Sequence, residues 1–151
     1  MTGINHAVTG VLVAVAIKQP AVALPAALLS HFVIDALPHY DHKDLLSNLR
    51  LYKIVLVSDA ILSMVLLLFL AFALSGPDWL IIVAGFLGIV PDITWLPAIA
   101  EGQVAPRHRR NLLHLIRRFH AWVQWSEGPR GLYIEIILFI LIFILVWSIG
   151  R

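Results

Sequence analysis

The feature that most constrains this chain is a series of long apolar segments that contain very few charged residues. Residues 132–149 are almost uninterrupted by polar side chains, and residues 54–74 and 79–100 have the same character. Crossing the hydrocarbon core of a bilayer, which is about 30 Å thick, takes about 20 helical residues. Each of these three segments therefore predicts a membrane-spanning helix.

Two further apolar segments, residues 4–17 and 21–37, are shorter and are separated only by Lys18, Gln19 and Pro20. Their closeness predicts a tight helical hairpin. Because 60% of all residues are hydrophobic and only 13% are charged, a water-soluble fold would lack the polar side chains to cover its surface.

We therefore predict a single all-α domain over residues 1–151, built as a polytopic integral membrane helical bundle. Five membrane helices are expected at about 4–18, 20–37, 52–75, 78–100 and 131–150, with one amphipathic interfacial helix at about 106–126. The Gly and Pro residues between these segments fall where the chain has to turn.

Lysine and arginine are concentrated in the two segments that would connect the second helix to the third and the fourth to the fifth. By the positive-inside rule, both segments and the N-terminus face the cytoplasm. This pattern predicts a multi-pass protein of a prokaryotic cytoplasmic (inner) membrane. The net charge of +2 comes from these clusters, so we expect lipid partners and no nucleic acid, and a homo-oligomer is compatible with this arrangement.

Two negative features narrow the chemistry. The chain has no cysteine, which excludes disulfides and thiolate metal ligands. Its first residues lack the positively charged region of a cleavable signal peptide, so we expect Met1 onward to be retained.

Residues 30–42, SHFVIDALPHYDH, bring polar chemistry to the end of an apolar segment. His31 and Asp35 are four residues apart, so on a helix their side chains share one face. Pro38 ends that helix, and His39 directly follows it. Imidazole nitrogen and carboxylate oxygen together suit zinc, with manganese or iron also possible. The alternative is a neutral, hydrogen-bonded pair within the helix.

Further polar residues are predicted to lie at the same depth in the membrane as His31 and Asp35. Helices that alternate in direction place His6, Asp35, Asp59 and Asp92 in the cytoplasmic half of the bilayer. A charge inside the membrane costs about 2.5–3.5 kcal/mol on insertion scales, so several at one depth need mutual compensation. The predicted ligands of a divalent metal are His6, His31, Asp35, His39, Asp59, Asp92 and, from further along the chain, His120.

Some of these residues have simpler interpretations. Asp59 could be a carboxyl bonded to another helix, and His6 could be a turn residue at the interface. Asp92 follows Pro91 in a sequence typical of a broken helix beside a cavity, which favours function. We expect Asp59 or Asp92 to act as general base or to bridge two metals. Glu135 is expected to snorkel or to pair with Arg130, and we leave it out of the site.

Residues 104–125 form a basic amphipathic segment with interfacial tryptophans. Apolar side chains follow helical spacing on one face, and basic side chains lie on the other. The segment could act only as an anchor on the cytoplasmic leaflet. It could also bind a substrate phosphate through its basic residues, for which the candidates are Arg110, His114, Arg117 and Arg118.

The chain resembles the bacterial and archaeal membrane-bound metal-dependent hydrolases known as the YdjM-like or LexA-binding group. The matching features are His6 followed by Gly10, the pair Pro91-Asp92, and the stretch from Arg110 to His114. The chain departs from that pattern at Thr94, where the family has a second acid, and at Leu115, where it often has serine. The resemblance implies a metal-dependent hydrolase.

A weaker resemblance links His31, Asp35 and His39 to the helical zinc site of phospholipase C and P1-type nucleases. In those enzymes, His and Asp residues from several helices bind metals that cleave phosphoesters. The gap before the last histidine is shorter here, and the other ligands of that family have no match in this chain.

Together these features predict a membrane-embedded hydrolase that uses metal-activated water. The depth of the site and the adjacent basic segment point to a lipid or lipid-linked phosphoester as substrate. A metal or proton transporter is the first alternative, but it should carry polar residues along a whole pathway, and the periplasmic halves of the segments are apolar. A non-enzymatic membrane interaction protein is the second, but it would need no convergence of acids and histidines.

Overall fold

The computed structural model describes residues 1–40, 48–76, 78–96 and 112–151, and every regular element within these ranges is an α-helix. The all-α prediction is therefore confirmed for the described part of the chain. The helices are α1 (Gly3–Ile17), α2 (Pro20–Asp35), α3 (Leu49–Ala73), α4 (Asp78–Ile93), α5 (Leu112–Val123) and α6 (Gly131–Gly150).

Local sequence accounts for the hairpin between α1 and α2. Lys18 adopts a left-handed conformation with φ of 58°, and its N–H donates to the Ala14 carbonyl at the end of α1. The Gln19 side chain then accepts a hydrogen bond from the Val22 N–H, at 2.8 Å. Pro20 occupies the first turn of α2, where a missing N–H costs nothing. The predicted tight hairpin is present.

Helix α1 lies at the centre of the bundle and contacts α2, α3, α4 and α6. Most of its residues are buried. On one side they pack against apolar side chains of α3 and α6, including Leu67, Leu70 and Val146. On the other side Ala14 packs against small residues of α2 and α4. Side chains of α1 therefore face every neighbouring helix.

Glycines allow α1 and α4 to approach closely. A Cβ added to Gly10 would lie 2.3 Å from the Ala84 carbonyl oxygen, and a Cβ added to Gly88 would lie 2.4 Å from the carbonyl oxygen of His6. Small residues at a helix crossing permit such backbone contact, which is common between membrane helices. The crossing brings His6 of α1 directly beside Gly88 of α4.

Helices α3 and α6 expose large apolar side chains over most of their surface, among them Phe72, Ile61 and Ile137. Within the described residues, Arg50–Ala73 and Gly131–Gly150 are long and apolar enough to cross a membrane. These are two candidate spans, fewer than the five predicted, because α1, α2 and α4 have only 15, 16 and 16 residues. On length and composition alone, this is a weak indication of membrane association.

Some helices begin or end at residues other than those predicted. Helix α4 ends at Ile93, two residues after Pro91, whereas the prediction continued it to residue 100; residues 97–100 lie outside the described part. Helix α3 begins at Leu49, slightly before the predicted residue 52, and the Asn48 side chain accepts from the Leu51 N–H there. The amphipathic helix is described from Leu112, and residues 106–111 lie outside the described part.

Replacement of Gly10 tests the α1–α4 crossing. In Gly10→Ala the new methyl group meets backbone that cannot rotate away, and such overpacking typically costs about 1–3 kcal/mol. We expect the apparent melting temperature in detergent to fall by at least about 3 °C. Gly128→Ala is the control, because nothing lies within 4 Å of a Cβ added there. Equal melting temperatures for the two variants would contradict the close crossing.

Candidate metal centre

Four side chains from three helices meet at one end of the bundle. His6 comes from α1, His31 and Asp35 from α2, and Asp92 from α4. One potential ligand atom from each lies within 4.8 Å of all the others, so the group could hold a metal ion. The side chains of His6, His31 and Asp35 are fully buried, whereas that of Asp92 is 32% exposed. Asp92 therefore forms the accessible side of this four-residue cluster.

A backbone carbonyl sets the orientation of the His31 ring. Nδ1 of His31 lies 2.7 Å from the carbonyl oxygen of Gly88. A carbonyl oxygen only accepts, so Nδ1 carries the hydrogen, and a neutral ring then has its lone pair on Nε2. That Nε2 lies 3.2 Å from Asp35 Oδ2 and 3.7 Å from Asp92 Oδ1. Histidines that bind metals are usually fixed in this way, by donating the other ring N–H to a carbonyl or carboxylate.

The His6 ring is buried without a hydrogen bond on either nitrogen. It stacks on the His31 ring, with centroids 3.8 Å apart and planes at 18°. Its Nε2 lies 3.1 Å from Asp35 Oδ1 and 3.7 Å from Asp92 Oδ2, but neither contact has hydrogen-bonding alignment. An unsatisfied buried polar group costs about 1–3 kcal/mol. A cation bound between Nε2 and the two carboxylates would satisfy this nitrogen.

Asp35 lies at the centre of the polar contacts. Its Oδ1 faces His6 and the α-amino nitrogen of Met1, the latter at 3.0 Å. Its Oδ2 lies 2.7 Å from His120 Nε2 and accepts from the Gln124 amide at 3.2 Å. A fully buried carboxylate is stable only when several such partners compensate its charge. The sequence predicted Asp35 as a metal ligand, and in the structure Asp35 belongs to the group that could hold a metal ion.

Helix α5 reaches the cluster through His120, whose side chain is buried. The indole N–H of Trp95 donates to His120 Nδ1 at 3.0 Å. Arg117 holds the same region from α5: its Nε donates to the Thr94 carbonyl at 2.7 Å, and its guanidinium lies 5.8 Å from the Trp95 ring centroid. The end of α4 and the helix α5 are therefore joined directly beside the cluster.

Asp59 and His39, like His120, are predicted ligands that lie outside the four-residue cluster. The Asp59 carboxylate accepts from the backbone N–H groups of Gly3 and Ile4, at 2.6 and 3.2 Å. Free N–H groups and the helix dipole make the start of a helix a favourable place for a carboxylate. Asp59 thus caps α1, the helix that carries His6.

His39 is placed away from the cluster because α2 ends at Asp35 and the chain turns at Ala36 and Leu37. Its Nδ1 lies 2.8 Å from the Leu37 carbonyl oxygen, and its Nε2 lies 3.6 Å from Glu127 Oε1. The main chain of His39 packs directly on Gly131, where an added Cβ would clash with it. His39 therefore connects α2 with the start of α6.

The predicted phosphate-binding residues have different surroundings. Arg110 lies outside the described residues. Arg117 is engaged with the Thr94 carbonyl, His114 is half-buried, and Arg118 is exposed. Of the described basic residues of α5, Arg118 is the one whose side chain faces outward.

Glu135, Gln124 and Trp95 are polar partners that the sequence interpretation missed. Glu135 is buried, where its Oε2 accepts from the N–H and hydroxyl of Thr2 at 3.0 and 2.8 Å, and its Oε1 accepts from the Tyr40 N–H at 2.8 Å. The sequence did contain a signal, because a glutamate one turn inside an apolar helix is costly without partners. Nothing comparable in the sequence indicated that Gln124 and Trp95 would be polar partners.

Comparison of the chain with models of known protein families, with curated proteins and with solved structures finds no match. The arrangement of the cluster is thus the main guide to function.

Proposed function

We propose that this protein is a membrane-embedded, metal-dependent hydrolase that acts on a lipid or lipid-linked phosphoester at the cytoplasmic membrane interface. The observation that carries the proposal is the convergence of His6, His31, Asp35 and Asp92, with the Nε2 atoms of both histidines directed at two carboxylates. Buried histidine and aspartate at one end of an apolar bundle are costly unless they serve a purpose.

The membrane location is supported by the surface of the two longest helices. The apolar windows of α3 and α6 are only 22% and 17% buried, whereas the core helix of a soluble protein would be mostly buried. Contiguous apolar surface of this extent would cause aggregation in water. We therefore place α1, α2, α3, α4 and α6 in a prokaryotic inner membrane, with the N-terminus cytoplasmic. The exposed Leu112, Leu115 and Trp122 of α5 rest in the interface.

The spacing of the ligand atoms suits one divalent ion. Ligands about 2.1 Å from a tetrahedral ion lie about 3.4 Å from one another. His6 Nε2 lies 3.1 Å from Asp35 Oδ1 and 3.7 Å from Asp92 Oδ2, and His31 Nε2 lies 3.2 Å from Asp35 Oδ2 and 3.7 Å from Asp92 Oδ1, so each ring faces a different oxygen of the two carboxylates. Two imidazoles with carboxylates favour zinc, and manganese or iron would also fit.

The three buried residues and the exposed one have different roles. His6, His31 and Asp35 hold the ion, because they are fully buried and cannot reach a substrate. A bound divalent ion lowers the pKa of water and polarises a phosphoryl oxygen. Asp92 is the general base: its partly exposed carboxylate accepts the proton of the attacking water as the bond from phosphorus to the leaving oxygen breaks. Asp59 is not assigned this role, because its oxygens hold the start of α1.

A transporter of metal ions or protons is the less favoured alternative. It would need polar side chains along the length of the bundle. In the described residues, the core beyond Thr9 on α1 is built from apolar side chains, including Val11, Val15 and Ile81. Among the described residues, the buried polar side chains lie toward the end that carries the cluster, as an enzyme at the interface requires.

Metal analysis tests the proposal. Protein purified without chelator should carry about one divalent transition-metal ion per chain, or gain it on reconstitution. His31→Ala should lose the ion, whereas Asp92→Asn should retain most of it while phosphoester hydrolysis falls roughly 10²–10⁴-fold. His39→Asn is the matched control and should keep the ion, since His39 lies outside the cluster. A wild-type chain that binds no metal, or equal loss in the His31 and His39 variants, would contradict the proposed centre.

The phosphate contact is tested by comparing neighbouring arginines. Arg118→Gln should raise KM for a phospholipid or polyprenyl phosphate several-fold, with metal content and melting temperature unchanged, because arginine binds phosphate in a charge-assisted, bidentate manner. Arg117→Gln should instead lower the melting temperature, because the Thr94 carbonyl loses its donor. Arg151→Gln is the control, since Arg151 lies over Trp147 at the end of α6. If Arg118→Gln leaves KM unchanged, Arg118 does not bind the substrate phosphate.

A further inference from the structure

His120 was predicted as a metal ligand, but its hydrogen bonds indicate another role. The indole nitrogen of Trp95 only donates, so His120 Nδ1, 3.0 Å away, has to accept. An imidazole that accepts at Nδ1 carries its hydrogen on Nε2. The nitrogen that faces the cluster therefore presents an N–H and no lone pair for a metal.

The distance between His120 and Asp35 is a second, independent indication that His120 does not bind the metal. His120 Nε2 lies 2.7 Å from Asp35 Oδ2, which is the length of a charge-assisted hydrogen bond. Two ligands of one tetrahedral ion would be about 3.4 Å apart. The pairs His6–Asp35 and His31–Asp35, at 3.1 and 3.2 Å, are closer to that value.

Among the described residues, two other acceptors lie near the His120 N–H, and the more distant of them is Asp92 Oδ1, at 3.6 Å. The nearer is Nε2 of His31, which lies 3.0 Å from the same His120 nitrogen. The Asp35 oxygen is both closer and negatively charged, so it is the stronger acceptor. The amide of Gln124 also donates to this oxygen, at 3.2 Å. Two donors from the α5 region thus fix Asp35 Oδ2, while Oδ1 faces His6.

We infer that His120 is a positioning residue: Trp95 sets its tautomer, and its Nε2–H orients the Asp35 carboxylate toward the ion without binding the ion. The inference rests on the metal centre proposed above. Helix α5 then has two roles. It contacts the membrane surface on the side where Trp122 is exposed, and it holds the buried His120 beside Asp35. Partners of this kind typically contribute 10–100-fold to metal affinity.

Nuclear magnetic resonance of the ¹⁵N-histidine-labelled, ¹¹³Cd-loaded wild-type protein tests the ligand assignment directly. Cadmium should show scalar coupling to Nε2 of His6 and His31 and none to His120. The nitrogen shifts of His120 should report a protonated Nε2 and an unprotonated Nδ1. A coupling between cadmium and His120 would overturn the inference.

Metal affinity in variants tests the positioning role without an activity assay. His120→Leu and Trp95→Phe should raise the Kd for Zn²⁺ about 10–100-fold. His120→Gln should restore affinity to within a few-fold of wild type, because its amide still donates to Asp35, whereas a lost ligand would not be rescued. Trp122→Phe is the control, since that indole is exposed on α5.

The outcomes separate this inference from the proposed function. Unchanged Kd in His120→Leu, or a His120→Gln variant as weak as His120→Leu, overturns the positioning role and leaves the metal centre intact. A wild-type protein that binds neither Zn²⁺ nor Cd²⁺ overturns both.

Discussion

The buried charge of Asp35 is the constraint on which the rest of this structure depends. Its carboxylate is fully buried at one end of an apolar core, and an uncompensated charge there would destabilise the fold by several kcal/mol. Compensation comes from separate parts of the chain: the α-amino group of Met1, His6 on α1, His31 on α2, His120 on α5, and Gln124 just after α5. The same contacts that make Asp35 tolerable also bring together the residues that could hold a metal ion.

Close packing of α1 against α4 makes this convergence possible. Gly88 contributes to the convergence in two ways. Because it has no side chain, the main chain of His6 can approach it, and its carbonyl oxygen orients the His31 ring. Asp92 follows one turn later on α4, and Trp95 lies just beyond the end of that helix. A single approach between two helices thus positions the proposed ligands, the proposed general base and the partner of His120. Separating the two backbones by one methyl group would disturb all of them together.

The sequence predicted the helices and part of the cluster, because both depend on patterns among residues that are close together in the sequence. Apolar segments and breaks at Pro and Gly define helices locally, and the four-residue spacing of His31 and Asp35 places both on one helical face. The predicted depth in the membrane grouped His6 and Asp92 with them, and in the structure the four side chains lie close together. Depth does not reveal which way a side chain points around its helix axis, so Asp59 was grouped with the ligands although it caps α1. His39 and Glu135 depend on contacts between distant segments, which no local pattern encodes.

X-ray absorption spectroscopy of the zinc-loaded protein tests the central claim most directly. We expect a shell of nitrogen and oxygen ligands at about 2.0–2.1 Å, with outer-shell scattering from two imidazole rings. His6→Ala should reduce that scattering to one ring, whereas His39→Asn should leave it unchanged. A shell of oxygen ligands without imidazole scattering would show that the ion binds elsewhere and would contradict a metal centre built on His6 and His31.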